Sequence, residues 1–161
     1  MTVRAIHPAD RPELVSMLSA AGDLPSGTSD WYRSAKPPHL DLVAWNDGAI
    51  EGVVTGTFGF DYRDNPSFDS LELPTGPHAF LTRIYVTPTA RRRGVGLDLL
   101  EAFADEALAR RCAYVAGVVD QSSRHEEREK FFTNTGFVIS DDHMIGARAT
   151  EIIERITQLR R

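Results

Sequence analysis

The stretch ARRRGVGLDLL, residues Ala90–Leu100, joins three consecutive arginines to a Gly-Val-Gly turn and then to an apolar segment. It follows a strand-like run that ends at Val86, and the apolar positions beyond Gly96 have the spacing of an amphipathic helix. The unpaired N–H groups and the dipole at the start of such a helix favour anions. Glycines allow the backbone to approach a ligand closely. The stretch therefore predicts a phosphate-binding loop.

Two common phosphate-binding motifs do not fit this loop. The P-loop requires a lysine after its second glycine, where this chain has Leu97. The dinucleotide fingerprint requires a third glycine, where this chain has Leu99. Taken alone, the arginines also fit a solvated turn at a helix entry, so the surrounding sequence has to decide between the two interpretations.

Composition restricts the class of protein. The chain has 161 residues, of which 42% are hydrophobic and 25% charged, and this suits one soluble domain spanning residues 1–161. Its net charge of -5 argues against broad nucleic-acid binding, which needs a basic face. The single Cys112 excludes an internal disulfide, and no apolar run approaches the length of a membrane span. We therefore expect a cytoplasmic protein that binds neither nucleic acid nor a membrane.

The order of the predicted elements indicates an α/β fold. A strand at 2–6 and a helix come first, and two apolar runs joined by Asn46-Asp47-Gly48 then predict a hairpin. A polar connection at 61–77 leads into an alternation of strands and helices. The later strands are predicted at 79–86, 113–119, 137–139 and 143–147, and the later helices from Gly96, from about Ser123 and at about 149–160. This order builds a mixed sheet flanked by helices.

The spacing Arg91-x-x-Gly94-x-Gly96, after a strand that ends at Val86, resembles the acetyl-CoA-binding motif of the GNAT acyltransferase superfamily. The segment 3–10 is similar to the first strand and helix entry of that family, and 131–137 to its closing helix and strand. The resemblance implies a GNAT-like central mixed β-sheet flanked by helices, with two strands splayed at the acyl-CoA site.

The resemblance also implies where acetyl-CoA binds as the cosubstrate. Three residues at the end of the strand would pair with the pantetheine arm: Ile84, Tyr85 and Val86. The loop and the first helical turn would hold the pyrophosphate: Arg91, Arg92, Arg93, Gly94, Val95, Gly96 and Leu97. Arg128 and Phe132 share a helical face with His125 and would contact the CoA arm. No metal is expected, since the other histidines (His7, His39, His78 and His143) are dispersed along the chain.

The side chains that move protons in this family are absent from their usual positions. A tyrosine acid is common where this chain has Phe132, and a glutamate base is common where it has Phe80. His125 and Asp120 are the remaining candidates for accepting a proton from an amine. Each also fits a simpler role, His125 as a contact to the CoA arm and Asp120 as a turn residue.

The function implied by the resemblance is N-acetyl transfer. An acetyl or other short acyl group would move from acetyl-CoA to a primary amine by direct attack in a ternary complex. Two alternatives stay open: acetylation of a protein at its N-terminus or at a lysine, and an acyl-CoA-binding regulatory domain with little turnover. The acceptor is accordingly either a small-molecule amine or a protein amine, and the last helix packs either on its own domain or on a second copy in a homodimer.

Three further features have two interpretations each. The acidic loop at 61–77 is either a lip that attracts a cationic amine or an ordinary solvated loop. Trp31, Tyr32 and Trp45 line an acceptor pocket or pack in the core. Cys112 precedes an apolar strand and is expected to pack there, because no paired histidine is apparent that would activate it as a nucleophile.

Overall fold

The computed structural model describes residues 1–122 and 124–161, which contain a seven-stranded sheet and five α-helices. The strands are β1 Thr2–Ala5, β2 Leu40–Asn46, β3 Ala49–Phe60, β4 His78–Val86, β5 Tyr114–Val118, β6 Val138–Ile139 and β7 Met144–Arg148. The helices are α1 Arg11–Ser19, α2 Thr28–Trp31, α3 Val95–Ala109, α4 His125–Asn134 and α5 Ala149–Leu159. The helix start predicted at Ser123 lies outside the described residues.

The sheet is mixed. Its strands follow the order β1-β2-β3-β4-β5-β7-β6. β5 and β7 are antiparallel, as are β1 with β2 and β6 with β7, whereas β4 and β5 are parallel. A parallel pair needs a crossover connection, and α3 supplies it between β4 and β5. The predicted mixed sheet with flanking helices is confirmed.

The chain divides into two compact units. The first unit comprises Met1–Thr55 and Arg83–Ala102, and the second unit comprises Gly56–Thr82 and Phe103–Arg161. β3, β4 and α3 each contribute residues to both units. Within the described residues, no helix is both long enough and apolar enough to cross a bilayer.

The core of the first unit forms where α1 packs on the sheet. Leu14, Val15 and Leu18 repeat at the helical spacing of three and four residues and are buried, so they form one apolar face of α1. This face packs in one cluster with buried residues of β2, β3 and β4 and with the residue after α2: Val43, Ile50, Val53, Tyr85 and Tyr32. Tyr32 is completely buried, and Trp31 and Trp45 are partly buried against the same cluster.

Two glycines of β3 allow α3 to pack closely. In the first unit, a Cβ at Gly52 would lie 2.8 Å from the Tyr85 carbonyl oxygen and 2.9 Å from the Leu99 side chain. In the second unit, a Cβ at Gly56 would overlap the Phe80 carbonyl oxygen and lie 2.5 Å from the Phe103 ring. All of these distances are shorter than normal van der Waals contacts of a carbon atom, so neither position has room for a side chain.

The connection between β3 and β4 is tied down by a buried histidine. His78 is fully buried, and its Nδ1 accepts a hydrogen bond from the Tyr62 N–H at 3.1 Å. Its Nε2 therefore carries the proton in the neutral ring and donates to the Pro74 carbonyl at 2.7 Å. Arg63 binds the Asp61 carboxylate and, through these hydrogen bonds, lowers the pKa of Asp61 to about 2. Part of the negative charge of this loop is thus already compensated within the loop.

Candidate functional site

Parallel pairing between β4 and β5 stops partway along β4. The register runs from His78 opposite Tyr114 to Leu81 opposite Gly117, whereas β4 continues to Val86. On its other edge the strand approaches β3, because the Thr87 N–H donates to the Glu51 carbonyl at 2.9 Å. Successive residues of a strand direct their backbone groups to alternate edges. Ile84 and Val86 therefore direct theirs away from β3.

The α3 entry loop, Arg91–Leu97, brings unpaired amides to the start of a helix. The Asp98 N–H donates to the Gly94 carbonyl at 3.0 Å, so the intrahelical bonds of α3 begin there. The N–H groups of Val95, Gly96 and Leu97 precede that bond and have no intrahelical acceptor. Gly94 has φ +82, a left-handed conformation that favours glycine, and a Cβ there would meet nothing within 4 Å. The turn thus has open space beside Gly94 and three amides that no intrahelical acceptor uses.

Arg91 connects the α3 entry loop to the end of β4. Its Nε donates to the Val86 carbonyl at 3.0 Å, and its Nη2 forms an ion pair with Asp23 at 2.6 Å. The Tyr85 hydroxyl donates to the other Asp23 oxygen at 3.0 Å, and the Arg91 guanidinium lies 5.5 Å from the centre of the Tyr85 ring. The arginine therefore has a structural role that its place in the motif did not reveal. Asp23 carries no local sequence signal for this contact, because it lies 68 residues away along the chain.

The three arginines of the loop differ in how far their charge is compensated. Arg91 is paired with Asp23, and Arg93 forms an ion pair with Glu51 at 3.3 Å. Arg92 has φ +65 and is exposed, and it forms no ion pair within residues 1–122 and 124–161. An anion at this loop would therefore be attracted mainly by the amides, the helix dipole and Arg92.

Asp120 and Arg128 lie together in the second unit. The two Asp120 carboxylate oxygens accept hydrogen bonds from the Ser122 N–H and hydroxyl, each at 2.9 Å. Arg128 donates to the Asp120 carbonyl at 3.4 Å. His125 is the first residue of α4 and is partly exposed. The structure thus gives Asp120 the geometry of a turn residue and leaves His125 partly exposed.

Phe132 and Phe80, predicted to stand in place of a tyrosine acid and a glutamate base, pack among aromatic rings in the second unit. Phe132 is only 5% exposed, and its ring lies 5.2 Å from Phe137 in an edge-to-face arrangement. Phe80 packs on Tyr62 at 5.7 Å and on Phe68 at 6.0 Å between ring centres. Neither side chain can accept or donate a proton, and each is surrounded by other aromatic rings.

A buried polar chain crosses the core of the first unit. Thr55 donates to one Asp41 oxygen at 2.7 Å, and Arg11 forms an ion pair with the other at 2.8 Å. Because the Thr55 proton is used in this way, the Tyr32 hydroxyl must be the donor in its 2.8 Å bond to Thr55. Burial raises the pKa of Tyr32 above its ordinary value of 10.0, so the phenol stays neutral. Both oxygens of the buried carboxylate are satisfied by this chain.

The predicted absence of a metal stays a prediction, although the described residues contain no cluster of histidine, cysteine, aspartate and glutamate able to hold one.

The sequence matches the acetyltransferase (GNAT) family over residues 6–137. The chain belongs to this family. The match begins directly after β1 and includes β4, the α3 entry loop, β5 and all of α4, which are the elements of the candidate site. The predicted resemblance is confirmed, and the protein is a GNAT-family acetyltransferase enzyme.

Solved structures of other acetyltransferases share the fold of this GNAT protein. An aminoglycoside 6'-N-acetyltransferase from Acinetobacter haemolyticus has a TM-score of 0.68 and 20% identity, covering 88% of this chain and 93% of that chain. Aminoglycoside N-acetyltransferase AAC(6')-Iy, in complex with CoA, has a TM-score of 0.69 and 19% identity, covering 87% and 89%. Chaetomium thermophilum Naa20, in complex with a bisubstrate analogue, has a TM-score of 0.68 and 22% identity, covering 96% and 90%. The comparison with curated proteins finds no match.

Proposed function

We propose that this GNAT acetyltransferase transfers an acetyl group from acetyl-CoA to a primary amine. The observation that supports this most is the Arg91–Val86 hydrogen bond, which joins the α3 entry loop to the edge of β4 not used by β3. Backbone groups for an amide-rich arm and amides for a pyrophosphate thereby occur side by side in the first unit. Acetyl-CoA, when bound, supplies an acetyl group activated as a thioester.

The pyrophosphate would be held by the start of α3. The amides of Val95, Gly96 and Leu97 are available there, and the helix dipole adds roughly 0.3–1 kcal/mol for a negative charge near the first turn. Arg92 supplies an exposed guanidinium whose charge is not compensated by an ion pair within the described residues. An anion with several oxygens can use these donors together.

The pantetheine arm would pair with the end of β4. The Val86 carbonyl is already occupied by Arg91, so the groups that remain for a ligand on this edge are the Val86 N–H and both backbone groups of Ile84. Tyr85 contributes by holding Asp23, which fixes Arg91. We assign the Val86 N–H to the thioester oxygen, because a fixed backbone donor stabilises the negative charge that develops on that oxygen during attack.

The acceptor amine would attack the thioester directly. The only cysteine, Cys112, is completely buried and therefore unsuited to carry an acyl group. A thiolate with a reference pKa of about 8.5 leaves without an acid catalyst more readily than an alkoxide or an amide anion. This agrees with a buried Phe132 at the position where relatives often have an acid. His125 is the proton acceptor that we favour over Asp120, since both Asp120 oxygens already accept hydrogen bonds.

The proposal is tested by combining binding and turnover measurements on the purified protein. Isothermal titration with CoA should show saturable binding, and thiol release from acetyl-CoA should rise when a primary amine is added. CoA binding without thiol release across a broad panel of small amines and peptide amines would instead support the acyl-CoA-binding regulatory alternative. Turnover confined to the peptides would identify a protein acetyltransferase.

A further inference from the structure

Arg83 is a charged residue of β4 that none of the assignments above uses. The register of β4 with β5 ends at Leu81. Arg83 lies two residues further along β4 and directly precedes Ile84. Alternation along the strand puts its side chain on the same face as that of Tyr85. The guanidinium carbon accordingly lies 5.9 Å from the centre of the Tyr32 ring, and Tyr32 and Tyr85 share one core cluster.

The partner that the fold gives this guanidinium is a neutral phenol. Its aromatic neighbour Tyr32 stays a protonated phenol, because its hydroxyl donates to Thr55 and burial raises its pKa, although a hydrogen bond and the positive charge of Arg83 act to lower that pKa. The carboxylate that Thr55 joins to Tyr32, Asp41, is only 3% exposed, and its two oxygens are taken by Arg11 and Thr55. Arg83 forms no ion pair with a carboxylate anywhere in the residues that the structure describes.

This arrangement differs from that of the other partly buried arginines of the first unit. Arg11 is paired with Asp41, Arg4 with Asp10 and Arg91 with Asp23. A partly buried guanidinium loses some of its hydration and gains from a carboxylate or phosphate partner that accepts its planar set of donors. Among the described residues the fold gives Arg83 a neutral phenol and no carboxylate, so an oxyanion of a ligand can serve as its charged partner.

We propose that Arg83 binds an oxyanion of the acceptor, so that the substrate class is small primary amines that carry a carboxylate or a phosphate. The inference rests on the proposed function, because it uses Ile84 and Val86 as the place of the thioester. Residues of a strand are about 3.3 Å apart, so Arg83 is one residue from that place and its long side chain reaches a few ångströms beyond the strand. An acceptor whose amine and oxyanion are separated by a short chain spans this interval.

The inference is tested with matched pairs of amines that differ only in the anionic group. One pair is an ω-amino acid and the alkylamine of the same chain length, and the other is an aminoalkyl phosphate and the corresponding amino alcohol. The wild-type enzyme should have the higher kcat/KM for the anionic member of a pair, and the pair with the larger preference identifies carboxylate or phosphate. Arg83→Gln should reduce that preference by about 10- to 100-fold, mostly through KM, as expected for loss of a charge-assisted hydrogen bond.

Three controls separate this role from a structural one. Arg160→Gln removes the same charge from the exposed end of the chain and should keep the wild-type preference. Arg83→Lys should retain part of the preference, since a lysine keeps the charge without the planar donor set. Titration with CoA should give the wild-type Kd for Arg83→Gln, because this residue is not assigned to the cofactor, and this result also shows that the variant is folded.

The outcomes distinguish the inference from the proposed function on which it rests. Equal or better turnover of the neutral amines by the wild-type enzyme would overturn the assignment of Arg83 while supporting amine acetylation. An anionic preference that survives in Arg83→Gln would also overturn it. If no amine of either kind releases thiol from acetyl-CoA, the proposed function itself is wrong.

Discussion

Single residues of the α3 entry loop would bind an anion mainly through their backbone N–H groups. Two of its three arginines, Arg91 and Arg93, already have carboxylate partners, so the donors offered to a ligand are chiefly amides. Gly94 adopts φ +82, and Gly96 lies in the first turn of α3. The arginine motif therefore indicates the site through the backbone amides beside it more than through the charge of its side chains.

Gly96→Asp should abolish CoA binding, because it introduces both a side chain and a negative charge beside the amides of the first turn. Isothermal titration with CoA is the measurement. Thr150→Asp is the matched control, since it adds the same charge at an exposed position in the first turn of α5 and should bind CoA as the wild type does. Unchanged affinity in folded Gly96→Asp would contradict the assignment of the pyrophosphate to this loop.

His125→Ala and Asp120→Asn separate the two proposed proton acceptors. If His125 accepts the amine proton, His125→Ala should lower kcat/KM by roughly 10²–10⁴-fold with little change in CoA affinity, and the acidic limb of the pH–rate profile should change. Asp120→Asn should have a smaller effect, since the carboxylate already holds Ser122. A pH series on both variants with the best amine measures this.

Other results of that series have different meanings. A loss of CoA affinity in His125→Ala with an unaltered profile would make His125 a contact to the cofactor. Full activity and an unaltered profile in both variants would exclude both residues as bases. Phe132→Tyr should stay within a few-fold of wild-type turnover, because thiolate leaves adequately without an acid and this side chain is buried against Phe137.

At the scale of elements, β3 and α3 depend on the two glycines between them. Gly52 and Gly56 are four residues apart and therefore face the same side of β3, where α3 packs. In sequence they look like ordinary glycines of a strand, and only the positions of the β4 carbonyls and of α3 show why a side chain does not fit. The close approach places the start of α3 where the end of β4 can be joined to it by Arg91.

Gly56→Ala should destabilise the protein by about 1–3 kcal/mol, because the added methyl group overlaps the Phe80 carbonyl and the Phe103 ring. Urea unfolding followed by circular dichroism gives the free energy of unfolding. Gly22→Ala is the control, since a Cβ at Gly22 would meet nothing within 4 Å. The free energy of unfolding of Gly22→Ala should equal or slightly exceed the wild-type value, and equal stability of the two variants would contradict the packing described here.

The order of strands and helices could be predicted because its signals are local. The hairpin at Asn46-Asp47-Gly48, the buried run of β5 and the helical spacing after Gly96 each depend on neighbours in the sequence. The Arg91–Asp23 ion pair and the Thr55–Asp41 hydrogen bond could not be predicted, because they join residues that are far apart along the chain. The roles assigned to the candidate site residues remain predictions, and so does the assignment of residues 1–161 to a single domain.

At the scale of the whole molecule, the charge distribution disfavours nucleic acid. The net charge is -5, and the ion pairs of Arg91 and Arg93 compensate most of the basic cluster in the α3 entry loop. A protein binds DNA by neutralising several phosphates at once, and Arg92 alone cannot do so. The family membership agrees with this reading, since the same loop belongs to an acetyltransferase fold.

We therefore expect negligible DNA binding at physiological salt and selective binding of CoA. Fluorescence anisotropy with a labelled duplex measures the first, and competition with unlabelled CoA measures the second. Free adenosine diphosphate is the control ligand, because it carries a pyrophosphate without the pantetheine arm and should bind more weakly than CoA. Tight, steeply salt-dependent DNA binding would show that the arginine cluster serves nucleic acid instead.

Arg91 also has a thermodynamic effect on ligand association. Its bonds to Val86 and Asp23 form within the chain itself, so the shape of the α3 entry loop is established during folding and not when a ligand arrives. A loop that is preorganised in this way loses little conformational entropy on complex formation. Ordering the loop therefore lowers the free energy of unfolding of the protein, and it does not lower the affinity with which the amides would bind a ligand.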